Sequence, residues 1–230
     1  MINNSSIFIT GTTRGLGFRL AKHYLSQGHR VIGCSRSDSE IDHSYYTHYR
    51  VDLTKEKEIV KMFRQIERVD LVLNNAATAF MNHLMITPLD AVEKLMAINF
   101  TSTFCVIREA TKLMKNQSRG RIINFSSIAV SLNIPGEAAY ISSKAAINAL
   151  TKNLVKELTP YNITINAIGI PMLDIGISQS IQKQKRLEVV ELQPISREGT
   201  VDDIVNVIDF LASPKSSMIS GQLISLGGVS

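Results

Sequence analysis

The stretch IFITGTTRGLG, residues 7–17, joins a short apolar run to a glycine-punctuated turn and then to the start of a helical pattern. Ile7 to Thr10 read as a strand. From Leu16 to about Gln27 the residues Leu16, Leu20, Ala21, Tyr24 and Leu25 recur at helical spacing and share one face. A glycine-rich turn between strand and helix has a physical use. It lets the backbone approach a ligand closely, and the helix N-terminus beyond it offers unpaired N–H groups to an anion such as phosphate. Gly11 suits the tight turn, Gly15 the close approach and Gly17 close packing of helix on sheet. Three glycines in an ordinary turn is the bland alternative, and the flanking strand and helix weigh against it.

The same alternation runs on through the chain. RVIGC (30–34), THYRV (47–51), VDLVL (69–73), RIINFS (121–126), ITINAI (163–168) and QLISL (222–226) read as strands. VDLVL is continuously apolar, as in a sheet covered on both faces. A helix is expected after Thr54, its N-cap, with Ile59, Met62, Phe63 and Ile66 inward. Others are expected over about 88–115, broken near Asn99, over about 137–158, ended by Pro160, and over about 202–212. Residues 172–200 look irregular or weakly helical. The alternation implies an open, parallel α/β sheet in a single domain, residues 1–230.

The 230 residues suffice for a large core without disulfide staples. Cys34 and Cys105 lack metal or redox spacing, which favours a reducing compartment. MINNSSIFITG has no signal-peptide pattern, and no apolar run reaches membrane-spanning length, so a cytoplasmic protein without a membrane partner is expected. A net charge of +5 would suit an anionic ligand, but the Lys and Arg residues form no stripe, so nucleic acid is not expected. The histidines at 23, 29, 43, 48 and 83 include only a loose His43/His48 pair, read as surface, and no metal site is expected. His83 follows the fourth strand and reads as a solvated loop residue. QKQKR (182–186) reads as a solvated helical face rather than a dock for an acidic carrier protein or a phosphorylated substrate. Met81, Met85, Met96 and Met114 read as core or pocket fillers.

YISSK, residues 140–144, sets a tyrosine one helical turn before a lysine, so the two side chains share a face. A free phenol has a pKa of about 10. An adjacent ammonium favours the phenolate and would bring the group toward acid–base work near neutral pH. Alone, the pair could equally be surface decoration.

The ordered set of TGTTRGLG, Asp52-Leu53, Asn74-Asn75-Ala76-Ala77, Asn99, Ser127, YISSK and the ending ISREGTVDDIVNVIDFLASPKSSMISGQLISLGG resembles the short-chain dehydrogenase/reductase family over almost the whole chain. The resemblance implies a Rossmann-type doubly wound parallel sheet of about seven strands with helices on both faces. It implies Tyr140 as general acid, and Lys144 lowering its pKa and holding the nicotinamide ribose. Ser127 would hydrogen-bond the substrate oxygen as charge develops there. Asn99 would anchor a water linking Lys144 to solvent. The implied cofactor contacts are Gly11, Thr13, Arg14, Gly15, Leu16, Gly17, Ser35, Arg36, Asp52, Leu53, Asn75, Ala76, Ala77, Tyr140, Lys144, Pro171 and Met172.

The end of the second strand, GCSRS (33–37), bears on which dinucleotide is bound. An acidic residue there would bind ribose hydroxyls. Ser35 stands in its place, Arg36 follows, and Arg14 lies in the glycine loop. Two guanidinium groups suit a 2′-phosphate, which favours NADP(H); solvated surface charges are the alternative. Asp52 is similar to the family residue that meets the adenine amino group, and it could also act as a turn or capping residue. Ala77 stands where the family usually has glycine.

NAIGIPMLDIG (166–176) departs from the family pattern: its proline is displaced to Pro171, Met172 follows, and Ile175 falls near the place of a threonine that helps hold the nicotinamide. Leu226 replaces the acidic residue before the final Gly-Gly. Residues 172–200 would form a substrate lid whose start carries Met172, Leu173, Ile175 and Ile177, which suits an apolar substrate. Many family members are tetramers, and a homotetramer or homodimer is expected. The implied function is NADPH-dependent reduction of a ketone or aldehyde. The overall pattern is similar to 3-oxoacyl-carrier-protein reductases, so the substrate would be a small carbonyl compound, carrier-bound or free, of acyl or polyketide type. The alternative is a dinucleotide-binding sensor or scaffold, against which the intact Ser127, Tyr140 and Lys144 set argues.

Overall fold

The computed structural model describes residues 4–229, the side chains of 177 and 180 excepted. Seven strands form one sheet: β1 (Ser6–Thr10), β2 (Arg30–Ser35), β3 (Tyr46–Arg50), β4 (Leu71–Asn74), β5 (Gly120–Ser127), β6 (Ile163–Ile170) and β7 (Leu223–Ser225). Their order is β3-β2-β1-β4-β5-β6-β7, and every adjacent pair is parallel. The helices are α1 (Gly15–Ser26), α2 (Glu56–Phe63), α3 (Leu89–Met96), α4 (Ser102–Gln117), α5 (Ala129–Leu132), α6 (Ala138–Asn153), α7 (Val155–Leu158), α8 (Lys183–Glu191) and α9 (Val201–Ala212). This is the doubly wound α/β architecture expected from the sequence.

The side-chain alternation of β1 explains the two-layer cover. Ile7 and Ile9 pack with Leu20, Tyr24, Ile204 and Ile208 of α1 and α9. Phe8 points the other way, into a core with Ile59, Phe63, Val106 and Ala110 of α2 and α4, its ring centroid 4.9 Å from that of Phe63. Both faces of the strand are thus dry, which is why it reads as an unbroken apolar run. Ile59, Met62, Phe63 and Ile66 are all buried.

Several local features differ from expectation. Thr54 does not cap α2. Its hydroxyl and N–H both go to Asp52 Oδ1, at 2.7 and 3.0 Å, because a carboxylate is the stronger acceptor and forms its own turn. The break near Asn99 is a π-helical turn, Ala97–Thr101, between α3 and α4. α5 has four residues, too few to show a period. Met114 is fully buried, but Met85 is 85% exposed and Met81 is exposed too, so neither fills a core gap. Among the described residues, no helix is long and apolar enough to cross a membrane.

From β1 the chain winds outward to β3 and then returns to place β4 on the opposite side of β1. The carboxyl ends of β1 and β4 therefore diverge, and a ligand crevice opens at such a reversal.

Candidate active site

The glycine loop leaves β1 at this reversal and is braced from β4. Thr10 Oγ1 accepts hydrogen bonds from the N–H groups of Asn75, at 3.0 Å, and Ala76, at 2.8 Å. Asn75 Nδ2 donates back to the Thr10 carbonyl at 2.8 Å. Thr10 thus locks Asn75 and Ala76 against the loop, although the sequence did not single it out. A side chain at Gly17 would collide with the Gly11 carbonyl and the Asn75 amide, so Gly17 permits the helix to sit this close. Gly15 differs from expectation. It has φ +61°, and a Cβ there would stand 2.9 Å from the Gly176 Cα. The space it leaves open is shared with residue 176 and does not serve a ligand alone. Arg14 precedes α1 in extended conformation, and α1 has neither a side-chain cap nor an acidic residue in its first turn. Its leading N–H groups are left for an anion. Thr13 and Leu16 flank Arg14 and are partly buried.

At the end of β2 the Ser35 hydroxyl is buried without a hydrogen-bond partner. Arg14 and Arg36 are exposed, and neither guanidinium makes a hydrogen bond or ion pair among the described residues. Asp52 lies close enough to Arg36 to feel its charge. Its carboxyl is held below the usual range, first by the Thr54 hydroxyl and also by Lys55 and Arg36. Leu53 packs on the core of α2 and α4, and Asn75, Ala76 and Ala77 are partly buried along the crevice. The orphaned Ser35 hydroxyl, the free N–H groups at α1 and the two guanidiniums without an ion pair among the described residues fit the phosphates of a dinucleotide.

Across the crevice, α6 carries Tyr140 and Lys144. Lys144 is 4% exposed, and its Nζ donates to the Phe125 carbonyl at 2.8 Å. Burial lowers its pKa to about 8. Its Nζ lies 5.9 Å from the centroid of the Tyr140 ring. The phenol of Tyr140 is pushed up to about 12 by burial; the Ser127 hydroxyl pulls it down, and Glu137 adds a smaller upward push. This shift runs opposite to the sequence expectation for the protein by itself: the Lys144 ammonium is turned to the Phe125 carbonyl. The phenol is held protonated. Ser127 closes β5, and its Oγ accepts the Ala129 N–H at 3.1 Å, which leaves the hydroxyl proton for another acceptor.

Asn99 is buried in the π-helical turn. Its Oδ1 accepts from Thr78 N at 2.8 Å, and its Nδ2 donates to Thr78 O at 2.9 Å and Ser143 Oγ at 3.0 Å. Ser143 in turn donates to the Tyr140 carbonyl at 2.7 Å. Both amide protons are committed to protein, so Asn99 ties the exit of β4 to α6.

Residues 172–200 contain a 3₁₀ turn, Gly176–Ser180, and α8. Pro171 is buried, Met172 is partly buried, and the Met172 carbonyl accepts the Gly199 N–H at 2.9 Å. Leu173 is 5% exposed and joins the α1/α9 core, with Ile175 packed against it. Leu173 therefore belongs to the core, while Ile175 is partly buried and lines an open cavity with Arg19, Lys22 and Val201. The side chain of Ile177 lies outside the described residues. Arg186 turns inward, 12% exposed, and pairs with Asp174 and, at 3.7 Å, with Glu198. It is not part of a solvated face; Lys183 and Lys185 are. His83 is exposed and caps a short turn through Nδ1, 3.3 Å from Met85 N.

A family model described as Enoyl-(Acyl carrier protein) reductase matches residues 11–229. The chain belongs to the short-chain dehydrogenase/reductase family. It is an oxidoreductase of that family, with the Rossmann fold. The chain is 29% identical to the 3-oxoacyl-[acyl-carrier-protein] reductase FabG of Aquifex aeolicus, over 96% of this chain and 94% of that protein. It is 28% identical to the 3alpha-hydroxysteroid dehydrogenase of Mediterraneibacter gnavus, over 99% and 97%. Among solved structures, ElxO with NADP bound superposes with a TM-score of 0.87 at 25% identity, covering 98% of each chain.

Proposed function

We propose that the protein is an NADPH-dependent reductase converting a ketone or aldehyde to an alcohol. The observation that carries the reading is the placement of Tyr140 next to Ser127, with the buried Lys144 one turn along α6 and its Nζ 5.9 Å from the Tyr140 ring, at the carboxyl ends of the central strands. Bound NADPH would supply the hydride. Arg14 and the α1 N–H groups would hold its phosphates, Ser35 and Arg36 its 2′-phosphate, Asp52 to Leu53 and Asn75 to Ala77 its adenosine, and Lys144, Pro171 and Met172 its nicotinamide end.

The chain's own residues would handle the proton and the charge. Tyr140 gives its proton to the substrate oxygen, and a phenol is in the protonated form at neutral pH. Ser127, whose Oγ accepts the Ala129 N–H and whose hydroxyl faces the Tyr140 phenol, would turn its proton to the same oxygen as negative charge grows there. Lys144 carries its charge at neutral pH and favours the phenolate that the step leaves behind.

Two relatives named for a 3-oxoacyl and a 3-hydroxysteroid activity support a ketone–secondary alcohol pair. A 3-oxo acyl thioester heads the candidates, with residues 172–200 as the lid over it. The test is loss of reduced-nicotinamide absorbance, with NADPH and with NADH, over a β-ketoacyl thioester, a 2-enoyl thioester, a diketone, an aromatic ketone and a quinone. Turnover of a ketone with NADPH, faster than with NADH, is expected. Reduction of the enoyl double bond with every ketone inert would overturn the reading.

A further inference from the structure

Three consecutive carbonyls at the end of β2 are all taken by β3 and the residue after it. Ser35 O accepts from Val51 N at 2.8 Å, Arg36 O from Arg50 Nε at 3.1 Å, and Ser37 O from His48 Nε2 at 2.9 Å. Two of these donors are side chains, and they alternate along β3 with Tyr46, so all three side chains share one face of the strand.

His48 is also the middle of a longer chain. Its Nδ1 lies 2.9 Å from the Tyr46 hydroxyl, which lies 2.8 Å from Thr12 Oγ1 in the glycine loop. The neutral imidazole form gives these bonds one direction. A carbonyl only accepts, so Nε2 carries the proton, and in a neutral imidazole Nδ1 must then accept. Tyr46 therefore donates to His48, and Thr12 donates to Tyr46. Gly33, paired across the ladder with His48, leaves the necessary room; a Cβ there would collide with the Tyr46 hydroxyl and Thr12 Oγ1. Thr12 is fully buried and Tyr46 is packed on the α1/α9 core, so the near end of the strut is rigid.

We propose that Tyr46 and His48, assisted by Arg50, are positioning residues for cofactor choice: they hold the Arg36 turn at a fixed distance from the glycine loop, so that a dinucleotide seated at the α1 N-terminus presents its adenosine 2′-phosphate to Arg36. The inference rests on the NADPH reading above. Without the strut the diphosphate site at α1 remains and β2 stays tied to the glycine loop at Cys34, whose carbonyl accepts the Gly11 N–H at 2.8 Å, while the Arg36 turn beyond it loses its side-chain support. The expected signature is a loss of discrimination between NADPH and NADH, with dinucleotide binding itself retained.

The experiment measures dissociation constants of NADPH and NADH, by the change in cofactor fluorescence on binding, for the wild type, Tyr46→Phe, His48→Ala and His48→Gln. Tyr46→Phe removes the hydroxyl that makes two of the strut's bonds. The half-exposed edge position of His48 makes His48→Ala the safer variant for folding. The NADPH/NADH affinity ratio should fall about tenfold in Tyr46→Phe and His48→Ala, as for one lost hydrogen bond. It should fall less in His48→Gln, whose amide can still accept from Tyr46 and donate to Ser37. A wild type that prefers NADPH, with the ratio unchanged in the variants or both cofactors weakened by the same factor, would overturn this inference alone. A wild type that prefers NADH would overturn the cofactor reading, and this inference with it.

Discussion

The two walls of the crevice treat buried polar groups differently. On the glycine-loop wall the groups that brace the loop are paired, the Ser35 hydroxyl at the edge of the site excepted: Thr10 Oγ1 takes two backbone N–H groups, Asn75 closes the loop from β4, and Thr12 is bonded to Tyr46. On the α6 wall Lys144 is buried with one hydrogen bond and no carboxylate partner among the described residues, and Tyr140 is held away from its ordinary pKa by burial. Paired groups hold shape, so substitutions on the first wall should cost stability. Groups held in an unfavourable state are poised for chemistry, so substitutions on the second should cost activity and relieve strain.

The largest expected effect is at Tyr140. Tyr140→Phe removes the proton donor and should lower turnover by about 10³-fold, while NADPH affinity, measured by fluorescence, stays within about threefold. Retained turnover would place the acid elsewhere.

Lys144→Met sharpens the contrast most. Turnover should fall by about 100-fold, as the charge supporting the phenolate is lost. Stability should rise. At pH 7 the charged lysine costs the fold on the order of 3 kcal/mol, given a pKa near 8. Leaving the Phe125 carbonyl without its donor offsets about 1 kcal/mol of that. Urea titration of wild type and variant measures the difference, and a variant less stable than wild type would break the comparison.

Thr10→Val tests the first wall. It leaves the Asn75 and Ala76 N–H groups without their acceptor, and a loss of about 2–3 kcal/mol is expected from the shift in urea midpoint. A loss under about 0.5 kcal/mol, the range of a neutral surface change, would mean that the loop does not depend on this brace.

The smallest expected effect is in pH dependence. Above pH 8 Lys144 loses its proton in the folded protein, so kcat/KM for reduction should fall with one ionisation near pH 8. The folded pKa lies below its ordinary value of 10.5, so the unfolded chain binds the extra proton between them. Stability should therefore rise with pH from about 8 to 10, and Lys144→Met should lack that slope. Both profiles come from steady-state rates and urea midpoints at matched ionic strength.

Much of the fold was legible because it rests on periodicity. Ile7 to Thr10, and Ile59, Met62, Phe63 and Ile66, declare their faces by spacing alone, and the glycine loop declares its place by what flanks it. The pairing of Tyr140 with Lys144 was legible by spacing too, but the direction of the phenol's pKa was not, because burial leaves no mark in a five-residue motif. Thr54 was misread because a cap and a turn partner share one residue type, and only geometry shows Asp52 claiming it. Arg186 looked solvated within QKQKR because its partners Asp174 and Glu198 are 12 residues away on either side. Tyr46 and His48 sit on an edge strand with polar neighbours, where alternation gives no apolar signal, and only the fold brings them to Thr12.

The most direct test of the reductase account follows a labelled hydrogen. NADPH carrying deuterium at the transferable position would be incubated with the preferred ketone from the panel, the wild type and Tyr140→Phe, and the alcohol analysed by mass spectrometry. The account predicts deuterium on the carbinol carbon with the wild type and almost no alcohol with the variant. Alcohol without label, or equal labelled alcohol from both proteins, would contradict it.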